Sequence, residues 1–358
     1  MFLPKIGIVS TDWSGSIVDK RGHPEPGGAG FIRLQQLRPH LQNTTVTGPL
    51  LFNEKTGFSV AEFNGRVHTN CGVIILQRLM FGSLVEKLKH VRSMPVRPLI
   101  VNDLDDWYWG LHPNNAAFNL VDPNVNKDEN LDHYFEILEL SDIVVVSTPF
   151  LLQKMKKLLK NPSVVMIENC VSTQMFSVRR LNSKKAIIGW VGSTSHRSND
   201  LEELRGVFLR SDRLHHSGHI DGAPLFWKRV DGVPNRVSLS PMNPPHKYMS
   251  ESFCFDIGLA PLSDIDFNKA KSWIKMIEYA AAGIPAVCSP SPEYVRLYEE
   301  YGIGRIAHSK DEWRSHIDEL QHIRVRNIEA KKNRDRVRAL DVTKMAGQWA
   351  SLIQGHLA

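Results

Sequence analysis

Short apolar, β-branched runs alternate with helical stretches along most of this chain, and that alternation limits the folds open to it. Lys5–Ser10, Val73–Gln77, Pro98–Asp103, Asp142–Ser147 and Val164–Glu168 form a first series. Ala186–Val191, Leu225–Val230, Arg236–Ser240, Asp256–Leu262 and Pro285–Ser289 form a second. The runs are apolar nearly throughout rather than at every other position. Such strands must be covered on both faces, which predicts parallel sheets flanked by helices. Two series of ordinary domain length predict an α/β protein of two doubly wound, Rossmann-like domains. The expected division is 1–172, 173–340 and a last segment 341–358. The joint falls in the polar stretch Ser172–Lys185. The last segment carries Met345, Trp349, Leu352, Ile353 and Leu357 as an apolar stripe, expected to pack back on the first domain.

The remaining composition narrows the class. A 358-residue chain with 42% hydrophobic and 23% charged residues can build two cores. No run reaches the roughly 18 apolar residues of a membrane span. The opening MFLPKIGIVSTDW reads as a strand rather than a signal peptide, so a cytoplasmic protein is expected. Cys71, Cys170, Cys254 and Cys288 lie far apart without metal-binding spacing and read as reduced thiols. The net charge of +6 owes much to residues 324–338, where Arg324, Arg326, Lys331, Lys332, Arg334, Arg336 and Arg338 crowd together. A solvated helix face, a peripheral contact with an anionic membrane and a nucleic-acid surface all fit that segment. No aromatic residue interleaves the charges, which weighs against nucleic acid.

The stretch Ala270–Pro285, AKSWIKMIEYAAAGIP, carries the strongest chemical signal. Ser272 reads as its N-cap and Gly283-Ile284-Pro285 as its stop. Ile274, Ile277 and Ala281 share one face, while Lys271, Lys275 and Glu278 share another. A helix start presents free N–H groups and a positive dipole end, both suited to phosphate. Glu278 lies roughly 9 Å beyond Ser272 at about 1.5 Å per residue, near the reach from a diphosphate to its ribose. A carboxylate can accept hydrogen bonds from both ribose hydroxyls. A surface pair of Lys275 with Glu278 is the competing structural reading. The context is strand, polar loop, helix start, then strand, which puts these groups at the carboxyl edge of a sheet, where open α/β folds bind ligands.

Glu278-Tyr-Ala-Ala-Ala-Gly-Ile-Pro285 resembles the nucleotide-sugar motif of GT-B glycosyltransferases, specifically the large retaining family four. The resemblance implies two domains facing across a cleft, with donor nucleotide on the second and acceptor mainly on the first. It implies that Glu278 holds the donor ribose and that the backbone around Ser272, Trp273 and Ile274 meets the diphosphate, with Lys271 as a phosphate contact. Relatives carry an earlier Glu where this chain has Ala270, so the contacts to the sugar or reaction centre differ here. The family's phosphate-facing loop corresponds to the segment after Ile187. Gly192 is retained there, Ser193 stands near the usual Arg, and Arg197 is the candidate replacement cation.

Three further features belong with this reading. Gly28, Ala29 and Gly30 sit in a Gly-rich turn that leads into a helix, a turn that in the family faces the cleft. It is not the Gly-x-Gly-x-x-Gly of dehydrogenases. Asp103-Leu104-Asp105-Asp106 looks like a metal-binding Asp-x-Asp, but in the resembled family this place holds a His near the donor sugar. Asp105 or Asp106 is therefore expected at the cleft as the catalytic acceptor-positioning or proton-accepting group, with no metal and no bound cofactor. Asp122–Asn126 begins like a calcium loop but lacks its Gly and its closing Glu. His215, His216 and His219 are expected in a polar loop without zinc.

The function implied is transfer of a sugar from a nucleoside-diphosphate sugar to a hydroxyl, with retention. UDP is favoured over GDP from family frequency, and the acceptor, whether glycan, lipid or protein, stays open. A sugar-nucleotide epimerase-like enzyme on the same fold and a non-catalytic, basic nucleic-acid- or envelope-binding protein are the alternatives.

Overall fold

The computed structural model describes residues 3–18, 24–41, 44–115, 117–178, 180–193, 200–219, 236–240, 243, 247–248 and 251–357. It divides into two compact units. One comprises Met1–Trp109, Asn119–Asn169 and Val342–Ala358; the other comprises Gly110–Phe118 and Cys170–Asp341.

The first unit is built on a six-stranded sheet, parallel throughout. Its spatial order is Ser163–Met166, Ile143–Val146, Leu99–Leu104, Val73–Gln77, Ile6–Ser10, Thr45–Thr47. The near-continuous apolar runs are buried as their composition requires: Ile6, Ile74, Ile75, Ile100, Val101, Val144 and Val145 are at most marginally exposed. The chain leaves Ile6–Ser10 for one side of the sheet at Thr45–Thr47 and returns on the other at Val73–Gln77. The strand order therefore reverses between Ile6–Ser10 and Val73–Gln77, the kind of point where doubly wound sheets open a crevice at their carboxyl edge.

A small antiparallel sheet of Leu50–Asn53, Gly57–Ala61 and Val67–His68 interrupts this pattern. Its first turn is set locally. Asn53 Oδ1 accepts from the Lys55 and Thr56 amides at 2.9 and 3.2 Å, and Gly57 takes φ +73°. The last helix, Val342–Leu357, clusters with this unit and buries Val342, Met345, Ala346, Trp349 and Ile353. Leu357, expected in the buried stripe, is instead exposed at the last turn of the helix.

The second unit holds another six-stranded parallel sheet, ordered Arg236–Ser240, Arg213–His219, Ile187–Ser193, Ile257–Ala260, Ala286–Cys288, Arg305–Ile306. This is the 3-2-1-4-5-6 arrangement of a dinucleotide-fold sheet, with its reversal between Ile187–Ser193 and Ile257–Ala260. Two expectations need correction or restriction. His215, His216 and His219 lie in a strand, not a loop. The run RLHHSGH looks polar, but two of its rings find partners within the sheet: His215 faces Ser238 Oγ at 2.8 Å and Ser240 Oγ at 3.2 Å, and His216 Nε2 faces the Gly192 carbonyl at 3.0 Å. The expected strand Leu225–Val230 lies outside the described residues.

The basic segment is only in part a solvated face. In helix Ile323–Arg336, Arg326 is fully buried and donates to the carbonyls of Leu320, Gln321 and Ser183. Arg336 donates to the Gly302 carbonyl at 2.7 Å, and Arg338 stacks 4.8 Å from the Phe176 ring centroid. Several of these cations therefore close the second unit's own structure, while Arg324, Lys331 and Lys332 stay exposed. Among the described residues, no helix is long and apolar enough to cross a membrane.

Candidate functional site

In the second unit, the candidate site forms where the strand order reverses. The ladder between Ile187–Ser193 and Ile257–Ala260 holds only Ile188 with Ile257 and Gly189 with Gly258. Beyond that pair the Tyr279 hydroxyl bridges the two strands, accepting from the Val191 amide at 3.3 Å and donating to the Leu259 carbonyl at 3.1 Å. Tyr279 comes from helix Ile274–Ala281, so the helix is pinned at the opening of the crevice.

That helix starts later than its sequence suggests. Trp273, not Ser272, is the N-cap, and no side chain caps the helix. Trp273 is buried at 1% exposure under the Arg296 guanidinium, 4.0 Å from its ring centroid. Burying that indole turns the chain inward, and the helix begins only at Ile274. The other end closes as expected: Gly283 takes φ +70°, its amide donates to the Ala280 carbonyl at 3.0 Å, and the Ile284 amide donates to Tyr279 at 2.8 Å. Met276 through Ala281 are all buried, Glu278 included.

Glu278 is thus a buried carboxylate rather than half of a surface pair. Its Oε2 accepts from the Tyr248 hydroxyl at 3.0 Å. Burial pushes its pKa up to about 7, against the pull of the Lys275 charge and the Tyr248 hydrogen bond. Lys275 donates to the Val191 carbonyl and lies 5.4 Å from the Trp190 ring centroid. Gly192 follows directly. A Cβ there would come within 2.7 Å of the Trp190 ring, so the close approach of backbone to indole requires glycine. Gly192, Lys275, Glu278 and Tyr279 therefore lie on the two elements that bound the crevice. Lys271 sits above the Phe267 ring at 4.2 Å from its centroid. The backbone of Ser193 ends the strand, while Arg197 lies outside the described residues. Asp200 fixes the loop before the helix: its Oδ1 accepts from the Ser263 amide and hydroxyl, both at 3.0 Å, and from Asn268 Nδ2 at 2.6 Å.

In the first unit, a charged cluster occupies the other reversal point. Arg78 follows Val73–Gln77 and adopts φ +57°, in the left-handed region that non-glycine residues avoid. This conformation aims its guanidinium at three carboxylates. It reaches Asp105 Oδ1 at 3.0 Å and Oδ2 at 2.5 Å, Asp12 Oδ1 at 3.0 Å and Asp106 Oδ2 at 3.5 Å. Asp12 also accepts from the Gly30 amide at 2.7 Å, which ties the turn at Gly28, Ala29 and Gly30 to the cluster; Gly28 has φ +45°. Burial raises the Asp105 pKa to about 6; Arg78 opposes the rise, while Asp106 and Asp12 add to it. The buried Tyr108 hydroxyl next to these charges has no hydrogen-bond partner among the described residues. In the Asp-x-Asp stretch, Asp105 engages Arg78 and Asp103 engages Arg33. Among the described residues, no group of three His, Cys, Asp or Glu is placed to hold a metal ion.

A second, fully buried network lies beneath this cluster. Arg33 donates to Asp103 through Nη2 at 2.6 Å and Nε at 3.2 Å, and through Nη1 to the Ile167 carbonyl at 2.6 Å and Asn169 Oδ1 at 3.0 Å. Gln77 donates to Asp103 at 2.8 Å, and Ser10 Oγ donates to Gln77 at 2.8 Å. The network joins the carboxyl ends of four strands and the segments after them. Arg33, Arg78, Asp12, Tyr108 and Tyr248 were not legible as site residues. Arg33 carries the one usable signal, a cation inside the apolar face of Phe31, Leu34, Leu37 and Leu41.

No protein-family model and no curated protein sequence matches the chain. Solved structures do. Sucrose-phosphate synthase from Thermosynechococcus elongatus is similar over 98% of this chain and 98% of its own, with a TM-score of 0.62 at 12% identity. Anabaena HepE, in a complex with UDP and glucose, is similar over 98% of this chain and 100% of its own, with a TM-score of 0.60 at 12% identity. A glycosyltransferase from Rickettsia africae is similar over 80% of this chain and 77% of its own, with a TM-score of 0.54 at 13% identity. At such identity the likeness is one of fold. The fold is α/β with two Rossmann-like domains, the GT-B type of these glycosyltransferase structures.

Proposed function

We propose that the protein is a glycosyltransferase that moves a sugar from a nucleoside-diphosphate sugar, UDP-linked in preference, to an acceptor hydroxyl. The observation that carries this reading is the buried Glu278 carboxylate, hydrogen-bonded by Tyr248 and near the Lys275 charge, at the sheet reversal of the second unit. Fold likeness to a protein bound to UDP supports it.

In this reading the second unit takes the donor. Glu278 accepts from the ribose hydroxyls, and the start of helix Ile274–Ala281 with Lys271 stabilises the diphosphate as it leaves. Arg197 adds a further cation. The first unit takes the acceptor. The bond between the sugar's anomeric carbon and the phosphate oxygen breaks, and a bond from that carbon to the acceptor oxygen forms. Nucleoside diphosphate leaves with the bonding electron pair. Asp105, ionised above pH 6 and oriented by Arg78, takes the acceptor's proton. The acceptor oxygen enters on the face from which the diphosphate leaves, so the configuration at the anomeric carbon is retained, and in this reading no metal takes part.

Thermal melting with UDP, GDP and their sugars tests the donor assignment. A nucleotide at about 100 times its Kd stabilises by roughly 2.7 kcal/mol. UDP is expected to raise the melting temperature of the wild type and not of Glu278→Ala. An unchanged response in that variant overturns the assignment.

A further inference from the structure

A cavity of about 370 Å3 opens on the first unit beside the Arg78 cluster. Its walls are apolar and largely aromatic: Leu50, Phe52, Phe58, Phe63, Leu79 and Phe81. Phe52 and Phe58 meet edge to face with centroids 5.9 Å apart, and Phe58 is 2% exposed, so the floor is packed and rigid. Phe63 and Phe81, at 44% and 54% exposure, hold large apolar area at the mouth. Exposed aromatic surface around a formed hollow marks a place where apolar ligand area is buried. The small antiparallel sheet supplies Leu50, Phe52 and Phe58, so this insertion into the parallel sheet builds the pocket.

The pocket also has a charged edge. Lys87 lines it, half-buried, with no hydrogen-bond or ion-pair partner among the described residues. It lies on helix Gly82–Ser93, whose first turn also borders the cavity at Ser83 and Leu84. Both place positive potential on one side of an otherwise apolar hollow. Two lining residues lead straight into the charged cluster. Thr11, which donates to the Arg78 carbonyl at 3.2 Å, precedes Asp12, and Leu79 follows Arg78.

We propose that this cavity binds an anionic amphiphile, an aliphatic chain ending in a phosphate-type group, as the apolar portion of the acceptor. The chain packs against Phe52, Phe58, Phe63 and Phe81, and Lys87 pairs with the anion. The amphiphile's role as acceptor rests on the glycosyl-transfer reading. Its binding here does not.

Calorimetric titration below the micelle threshold tests the site with n-decyl phosphate, uncharged n-decyl maltoside and inorganic phosphate. The wild type is expected to bind decyl phosphate at least tenfold more tightly than the maltoside, and inorganic phosphate not measurably. Ser83 is exposed, so Ser83→Trp fills the mouth without disturbing the core. That variant is expected to lose decyl phosphate binding at least tenfold while its melting temperature stays that of the wild type. Lys87→Ala is expected to keep the chain affinity but lose the preference for the anion. No binding by the wild type, or undiminished binding by Ser83→Trp, overturns the proposal. Measuring UDP and GDP in parallel separates the two readings: decyl phosphate binding without a response to either nucleotide sinks the transferase reading and leaves the amphiphile site standing.

Discussion

The Tyr248 hydroxyl donates a hydrogen bond to Glu278 Oε2 at 3.0 Å, and Lys275 supplies a nearby charge. Burial raises the pKa of Glu278 from 4.5 to about 7. The folded protein therefore holds this proton more tightly than the unfolded chain. The associated stability is complete below about pH 4.5 and is lost as pH rises through 7. Glu278→Gln is expected to remove that loss, so its melting temperature should exceed the wild type's above pH 7 and match it near pH 4.5. A constant difference across that range would contradict the assignment.

Nucleotide binding should run the opposite way. A ribose needs the ionised carboxylate as acceptor, so UDP affinity should fall as pH drops from 8 to 6. Tyr248→Phe removes a hydrogen bond to the charged form, raises the Glu278 pKa further and should move this fall to higher pH. Titration calorimetry at several pH values reads both effects.

Asp105, at about pKa 6, should give kcat/KM an acidic limb centred near that pH. Asp105→Asn should abolish the limb and lower turnover by a factor of about 10²–10⁴, while the UDP response of the melting temperature stays intact. Loss of nucleotide binding together with turnover would show that the residue supports the fold rather than the acceptor's proton.

Arg33 and Asp103 form a fully buried pair, so removing one partner strands a charge. Asp103→Leu should cost about 3–5 kcal/mol, read as a lower urea midpoint. The double variant Arg33→Met with Asp103→Leu should recover part of that loss. A double variant no better than the single would show that the Arg33 bonds to Ile167 and Asn169 dominate.

Gly283 ends the Glu278 helix at φ +70°, and a Cβ there would come within 2.8 Å of the Arg180 side chain. Gly283→Ala should destabilise by about 1–2 kcal/mol from the left-handed backbone alone. Thermal melting checks this, with Gly347→Ala, on the last helix where a Cβ meets nothing within 4 Å, as a control.

Most strands were legible because parallel strands buried on both faces must be continuously apolar. Ile6–Ser10, Val73–Gln77 and Ile143–Val146 show this directly. Arg213–His219 was not legible, because the rings of His215 and His216 find their partners in Ser238, Ser240 and Gly192, which are distant in sequence. The N-cap fell on Trp273 instead of Ser272 because burial of an indole outweighed a local hydroxyl preference.

The sequence by itself determined the sheet class and the helix that carries Glu278, because periodicity, turn glycines and a Gly-Ile-Pro stop are local properties. Tertiary structure decided what that carboxylate faces. Tyr248 is 30 residues away from it, and its raised pKa comes from burial that no local pattern encodes. The same holds for Arg78, which gathers Asp12, Asp105 and Asp106 from separate segments. Such clusters depend on which strand ends lie side by side, and the order of strands in a sheet is set by packing across the whole domain.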